Sequence, residues 1–249
     1  MTPLPEFTLA GLFVGVLYGV FGVGGSSFAT PVFGLLGVPG LMAIATPLPA
    51  TMAAAVAGAG AYARRREVDW LVAKWCIVGG FPGTIGGALA SRIVGGKPLL
   101  VASGVVLAVV AVRVLWPTNE EKRLLGRARR KPGLVIPATF IIGVFTGLLA
   151  NGGGFLLVPL YVVVLGLTMP ESAGTSLVVI ATLSLPTLVT HWTLGHIDWP
   201  IAGAFALGAV PGTLAGTRLT QRISTTHMRK AFGVLLLAFA VSFLARELR

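Results

Sequence analysis

The sequence predicts an all-helical integral membrane protein built from two similar halves, and three observations lead to this fold class. Of the 249 residues, 55% are apolar and only 11% are Asp, Glu, Lys or Arg, whereas about a quarter of the residues in soluble domains are charged. The mean hydropathy is +0.89, and several apolar stretches approach the roughly 20 residues that cross a bilayer. The chain also repeats itself. Together these observations exclude a soluble enzyme, a disordered chain and, with Cys76 as the only cysteine, a disulfide scaffold.

The repeat becomes visible when the sequence is shifted by 128 or 129 residues. A shift of 128 places Gly15, Gly19, Gly24, Gly25 and Pro31 on Gly143, Gly147, Gly152, Gly153 and Pro159. A shift of 129 places Gly37, Thr46, Asp69, Trp70 and Pro82-Gly83-Thr84 on Gly166, Thr175, Asp198, Trp199 and Pro211-Gly212-Thr213. A fixed period with one slipped residue indicates an internal duplication.

Each half contains five apolar segments, which we expect to be helices. They cover 7–23, 26–37, 41–62, 70–94 and 98–116 in the first half, and 134–150, 154–167, 173–194, 199–222 and 230–246 in the second. We assign residues 1–116 to a first transmembrane repeat, 117–133 to a basic linker and 134–249 to a second repeat. The N-terminus lacks the features of a cleaved signal peptide, so we expect the first segment to be retained.

The second segment of each half is short for a bilayer core of about 30 Å. Glycine breaks separate it from the first segment, at Gly24-Gly25-Ser26-Ser27 and at Asn151-Gly152-Gly153-Gly154. The first two segments of each half are therefore two spans, a re-entrant hairpin or one broken helix. The fourth segments contain Pro82 and Pro211, and a proline inside a helix removes a hydrogen bond and kinks it.

The distribution of Lys and Arg favours an inverted orientation of the two halves. Arg64-Arg65-Arg66 follows the third segment, but the equivalent loop at 195–198 has no Lys or Arg. One loop later the asymmetry reverses, with Arg218, Arg222, Arg229 and Lys230 in the second half against Arg92 and Lys97 in the first. Because basic loops are mostly cytoplasmic, we expect a cytoplasmic linker and both termini outside. The alternative, four spans per half in parallel orientation, would put Arg64 and His196 on one side.

The positions of the acidic residues limit the chemistry. The eight carboxylates lie in loops, the linker or the termini: Glu6, Glu67, Asp69, Glu120, Glu121, Glu171, Asp198 and Glu247. A buried ionisable group marks function in a membrane, so the sequence argues against a cation transporter and a membrane-embedded enzyme. We expect no catalytic residues, no metal site and no cofactor. The basic clusters indicate contact with membrane lipid, and no nucleic-acid-binding motif accompanies them.

The contiguous glycines are the strongest candidate for a binding site. A helix that starts after a glycine break presents free N–H groups and a partial positive charge, which bind anions. Paired broken helices surround the substrate in transporters made of inverted repeats. The predicted site comprises Gly24, Gly25, Ser26, Ser27, Thr46, Asn151, Gly152, Gly153, Gly154, Thr175 and Ser176. The scattered Gly15 and Gly19, and Gly143 and Gly147, instead indicate close helix packing.

Two further side chains are candidates for charge or proton transfer. Arg218 lies near the end of the ninth segment and is either an interface anchor or a partner for an anion. His191 ends the eighth segment and could relay a proton, although a satisfied interfacial histidine is the commoner outcome. No nucleotide-binding loop of the Gly-x4-Gly-Lys-Ser/Thr type is present, so we expect an ion gradient, with the proton as coupling ion.

These motifs resemble the sulfite/taurine exporter family, the TauE/SafE-like transporters, over nearly the whole chain. The resemblance rests on the glycine patterns of both halves, on Ala173-Gly174-Thr175-Ser176, on Gly195-His196-Ile197-Asp198-Trp199 and on the stretch Gly212 to Leu219. Ser26 stands where a third glycine is usual, and Thr46-Pro47 replaces the usual Thr-Ser. The resemblance implies a multi-pass carrier of the cell (inner) membrane for small anions such as sulfite or sulfonates, with several members regarded as exporters.

The sequence therefore predicts a secondary transporter that moves a small anion by alternating access. The alternative is a passive anion channel, which would share the apolar spans. The sequence leaves open which anion is moved, the direction of transport and whether the chain forms a homo-oligomer.

Overall fold

A computed structural model describes residues 4–90, 109, 111, 112, 114, 115, 132–149 and 154–247, and every regular element in these ranges is helical. The predicted fifth segment and most of the basic linker lie outside the described residues. The helices are α1 (Leu4–Phe21), α2 (Gly25–Leu35), α3 (Gly40–Ala45), α4 (Leu48–Arg64), α5 (Trp70–Ala90), α6 (Pro132–Leu149), α7 (Gly154–Pro159), α8 (Met169–Thr193), α9 (Trp199–Leu219) and α10 (Thr225–Glu247). A π-helical turn, Leu160–Val164, continues from α7.

Four helical stretches of the described residues are long and apolar enough to cross a membrane. They are Leu4–Phe21, Met42–Arg64, Met169–Thr193 and Trp199–Leu219. Large side chains such as Leu9, Phe13 and Leu207 are exposed on their outer faces, as lipid-facing surfaces require. The predicted class, an all-helical multi-pass membrane protein, is confirmed.

Helices α4 and α8 pack against each other in antiparallel orientation. The start of α8 lies beside the loop that follows α4, where the backbone nitrogen of Asp69 is 3.0 Å from Thr175 Oγ1. The start of α4 lies beside the loop that follows α8, where the nitrogen of Asp198 is 3.2 Å from Thr46 Oγ1. Since each loop meets the beginning of the other helix, the two helices must run in opposite directions.

Helices α1 and α9 pack in parallel along a face of glycines. A Cβ atom added to Gly15 or Gly19 would overlap the backbone of Ala209 or Thr213, and one added to Gly212 or Gly216 would overlap Leu12 or Val16. Contacts advance together along both chains, which fixes the parallel direction. Small residues permit such a close backbone approach between membrane helices.

Helices α5 and α6 repeat this interface with other residues. Gly79, Gly83 and Gly87 of α5 lie against the backbones of Ile136, Phe140 and Val144. These residues stand 128 or 129 positions from those that join α9 to α1. The first helix of each predicted half thus packs on the fourth segment of the other half, so the two halves interlock.

Candidate functional site

The first glycine break is packed tightly against the start of α8. Gly22 has a φ of +66°, a conformation that residues with a side chain seldom adopt. A Cβ atom on Gly22 would lie 2.5 Å from the Cα of Ala173. Val23 and Gly24 are buried as well. Glycine is required at position 22 for two reasons, its backbone angle and its contact with α8.

Helix α2 turns back beside α1 after this break. The ring of Phe33 lies 5.1 Å from that of Phe7 near the start of α1, and 5.0 Å from that of Phe205 near the start of α9. The first two segments are therefore a helical hairpin. Gly25, Ser26 and Ser27 form the first turn of α2, where backbone N–H groups have no partner within the helix.

The second predicted break lies mostly outside the described residues. Asn151, Gly152 and Gly153 belong to the part of the chain that the structure leaves undescribed, whereas Gly154 begins α7. The contribution of Asn151 and of this break to a binding site stays a prediction.

Ser176 joins α8 to the first break. Its hydroxyl donates a hydrogen bond of 2.8 Å to the carbonyl oxygen of Gly22, and both groups are buried. The structure thus brings Ser176 next to the break that precedes Gly24 and Gly25. The bond also satisfies a carbonyl group that the end of α1 leaves without a helical partner.

Thr46 and Thr175 form a crossed pair of hydrogen bonds between the predicted halves. Thr175 accepts from the N–H of Asp69, and Thr46 accepts from the N–H of Asp198. Both threonines are 0% exposed. A hydroxyl that accepts one hydrogen bond still has a hydrogen to donate. The two threonines lie near opposite ends of the α4–α8 pair, so one small anion does not contact both in this conformation.

The carboxylates of Asp69 and Asp198 cap the helices that follow them. Asp69 Oδ1 accepts from the N–H groups of Leu71 and Val72, and Asp198 Oδ1 accepts from that of Ile201. Sequence reasoning treated both only as loop acids. The repeated Asp-Trp pair at 69–70 and 198–199 was the signal that could have identified them as N-caps.

Arg65 is a buried polar group that sequence reasoning missed. Its Nη1 donates a hydrogen bond of 2.7 Å to the carbonyl oxygen of Thr217, and its Nε lies 3.3 Å from Glu67 Oε2. The guanidinium carbon also stands 4.7 Å from the ring centroid of Tyr62. Arg65 therefore ties the end of α4 to the end of α9, whereas the triplet was interpreted as topology information alone.

The two candidates for charge or proton transfer lie away from the first break. Arg218 is exposed in the last turn of α9. His191 lies in the last turn of α8, and its Nδ1 is 3.1 Å from Nδ1 of His196. Neither is brought next to Gly24 and Gly25 by the described contacts.

Comparison with known proteins places the chain in a family. The profile of the family described as Sulfite exporter TauE/SafE matches residues 7–243. A probable membrane transporter protein of Xylella fastidiosa (strain 9a5c) is 31% identical over 252 residues, which cover 96% of this chain and 94% of that protein.

More distant relatives carry the same kind of name. The probable membrane transporter protein YjnA of Bacillus subtilis (strain 168) is 26% identical over 87% of this chain and 90% of its own. The probable membrane transporter protein MJ0441 of Methanocaldococcus jannaschii is 22% identical over 91% of this chain and 90% of its own. No solved structure matches the chain significantly. The profile match over nearly its whole length shows that this chain belongs to the sulfite exporter TauE/SafE family of membrane transporters.

Proposed function

We propose that this membrane transporter exports a small oxyanion, such as sulfite or a sulfonate, by alternating access. The family match supports the substrate class, because the family is described by sulfite export. Within the structure, the observation that carries the proposal is the glycine break at Gly22 to Gly24, from which α2 starts inside the bundle.

The charge pattern of the described spans favours an anion. Their acidic residues, Glu6 and Glu171, lie in the first turns of α1 and α8, and Asp69 and Asp198 are used as helix caps. No carboxylate of the described residues lies in the interior of these spans to bind a cation. Backbone N–H groups at the start of α2 would instead attract a negative charge.

Interlocked contacts support an inverted relation between the two halves. Helices α4 and α8, which occupy equivalent sequence positions, run antiparallel, and the α1–α9 interface has its counterpart in α5–α6. The loops that follow α4 and α8 have equivalent angles as well, with φ of +60° at Arg66 and +69° at Gly195. In such an arrangement the exchange of two equivalent halves converts an inward-open transporter into an outward-open one.

Each break would then serve as an anion position, one near each membrane face. The first position consists of Gly24, Gly25, Ser26 and Ser27 with Thr175 and Ser176 alongside. The duplication places Asn151 to Gly154 and Thr46 at the second. α4 has 17 residues and is about 25 Å long at 1.5 Å per residue, so the anion passes from one position to the other rather than binding both.

The two Thr–Asp hydrogen bonds are suitable as latches for this exchange. Both are formed in this structure, at opposite ends of α4 and α8. Opening one face would break one bond and leave the other in place. We propose the proton as coupling ion, with His191 as its relay and Arg218 as an attractor for anions at its own face.

The proposal is tested by transport measurements in proteoliposomes. Gly25→Leu and Gly153→Leu should each reduce saturable sulfite uptake and counterflow at least about tenfold, because a side chain there blocks the approach of the anion to backbone N–H groups. Gly34→Leu is the matched control, since Gly34 lies on the same short helix with open space around it, and it should transport normally.

Two results would contradict the proposal. Normal transport by folded Gly25→Leu and Gly153→Leu variants would remove the glycine breaks as the site. Flux that neither saturates nor shows counterflow in the unmodified protein would identify a passive channel instead of a carrier.

A further inference from the structure

Two histidines converge at the corner between α8 and α9. His191 lies in the last turn of α8 and His196 in the loop before α9, with their ring centroids 5.4 Å apart. The backbone N–H of His196 donates to the carbonyl oxygen of His191 at 3.1 Å, and Gly195 allows the turn with a φ of +69°. The Nδ1 atoms of the two rings are 3.1 Å apart.

This separation matches two nitrogen ligands of one metal ion. With Zn–N distances of about 2.0–2.1 Å, two ligands at the tetrahedral angle are about 3.4 Å apart. At the right angle of a tetragonal site the separation is about 2.9 Å for the same bond length. The observed distance lies between these values, so a rotation of a few tenths of an ångström would accommodate either geometry.

We propose that His191 and His196 form a weak binding site for a divalent transition ion that prefers imidazole, namely Cu²⁺, Ni²⁺ or Zn²⁺. Within the described residues, no third His, Cys, Asp or Glu joins the pair, so water completes the coordination. Two protein ligands and an open coordination sphere make this a site for a reversibly bound ion rather than for a permanent structural metal.

The surroundings favour a cation at this place. The C-terminal end of a helix carries a partial negative charge, and His191 is in the last turn of α8. The sequence from Leu188 to Pro200 contains no Lys or Arg, so no basic neighbour along this stretch repels the ion.

The equivalent corner of the first half lacks the site. Tyr62 and Glu67 occupy the positions of His191 and His196 at a shift of 129 residues, and the N–H of Glu67 donates to the carbonyl oxygen of Tyr62 at 3.0 Å in the same way. A metal ion would therefore stiffen one corner only. This corner also holds the hydrogen bond from Asp198 to Thr46, so the ion would hold that latch closed.

The site is tested by titrating the purified chain, without a polyhistidine tag, with Cu²⁺ in detergent. Electron paramagnetic resonance should show one bound Cu²⁺ with hyperfine coupling to imidazole nitrogen. Tryptophan fluorescence should fall in parallel, because Trp192 and Trp199 pack 5.8 Å apart at this corner. His191→Ala and His196→Ala should each weaken binding at least about tenfold, since even supporting groups of a metal site change affinity 10- to 100-fold.

His227 provides the matched control. It is the third histidine of the chain, it is exposed, and its Nδ1 lies 2.6 Å from Ser224 Oγ. His227→Ala should bind Cu²⁺ like the unmodified protein. Equal binding by all three variants, or the absence of a nitrogen-coordinated signal in the unmodified protein, would show that the two rings share only a hydrogen bond and would overturn the proposal.

Discussion

Thr46 and Thr175 show how one hydroxyl can connect two parts of the chain that are distant in sequence. Each is fully buried and accepts a hydrogen bond from the backbone of the residue that caps the next helix of the other half. A backbone N–H without a partner is costly inside a protein. These threonines therefore stabilise the two corners as well as lining the proposed anion path.

Replacement by valine tests this role at the residue scale. Thr46→Val and Thr175→Val keep the shape of the side chain but leave the N–H of Asp198 or Asp69 unpaired, so each should lower the free energy of unfolding by about 1–3 kcal/mol. Thermal unfolding in detergent, followed by the exposure of buried Cys76 to a thiol reagent, measures the change.

Thr51→Val is the control for this pair of substitutions. Thr51 is buried in α4, but its hydroxyl donates only to Leu48 within the same helix, so the loss should stay within about 0.5 kcal/mol. Equal losses at positions 46, 51 and 175 would show that the contacts with Asp69 and Asp198 add nothing.

The sequence identified these threonines but not their partners. A shift of 129 residues aligns Thr46 with Thr175 and Asp69 with Asp198, because it compares equivalent positions. Contacts between halves join non-equivalent positions instead, Thr46 with Asp198 and Thr175 with Asp69. Periodicity alone carries no information on such pairs, and for the same reason Arg65 and its bond to Thr217 were missed.

At the scale of helices, the glycine face of α9 determines how closely α1 can approach. Gly208, Gly212 and Gly216 lie one turn apart, and each faces the backbone of α1. The sequence indicated close packing for the scattered glycines of α1, and the structure confirms it for Gly15 and Gly19. It could not indicate the partner helix, since many helices of this chain present small residues.

Two substitutions in α9 separate packing from helix propensity. Gly212→Ala would place a Cβ atom against the carbonyl oxygen of Leu12 and should cost about 1–3 kcal/mol through overpacking. Gly203→Ala meets open space on the same helix and should be neutral or stabilise by about 0.5–1 kcal/mol. Denaturant unfolding of the two variants measures the difference, and similar values for both would contradict a tight α1–α9 interface.

For the whole molecule, the orientation of the two halves decides the mechanism. The charge asymmetry of the sequence predicts inversion, and the antiparallel α4–α8 pair agrees with it. Parallel halves would instead place the loops after α4 and α8 on one side of the membrane.

Cysteine labelling distinguishes these topologies. Arg66→Cys and Leu194→Cys introduce thiols at exposed loop positions, and the native Cys76 is 0% exposed and should not react. In spheroplasts, an impermeant maleimide should label position 194 directly and position 66 only after permeabilisation. Labelling of both positions in intact spheroplasts would reject the inverted arrangement.

The pairing of α1 with α9 has a consequence for biosynthesis. Helix α1 leaves the ribosome first, but its partner begins only at Trp199. At about 5–20 residues per second, α1 waits roughly 10–40 s in the bilayer with its glycine groove filled by lipid tails. We therefore expect nascent chains that stop before α9 to need a membrane insertase or chaperone as a temporary companion.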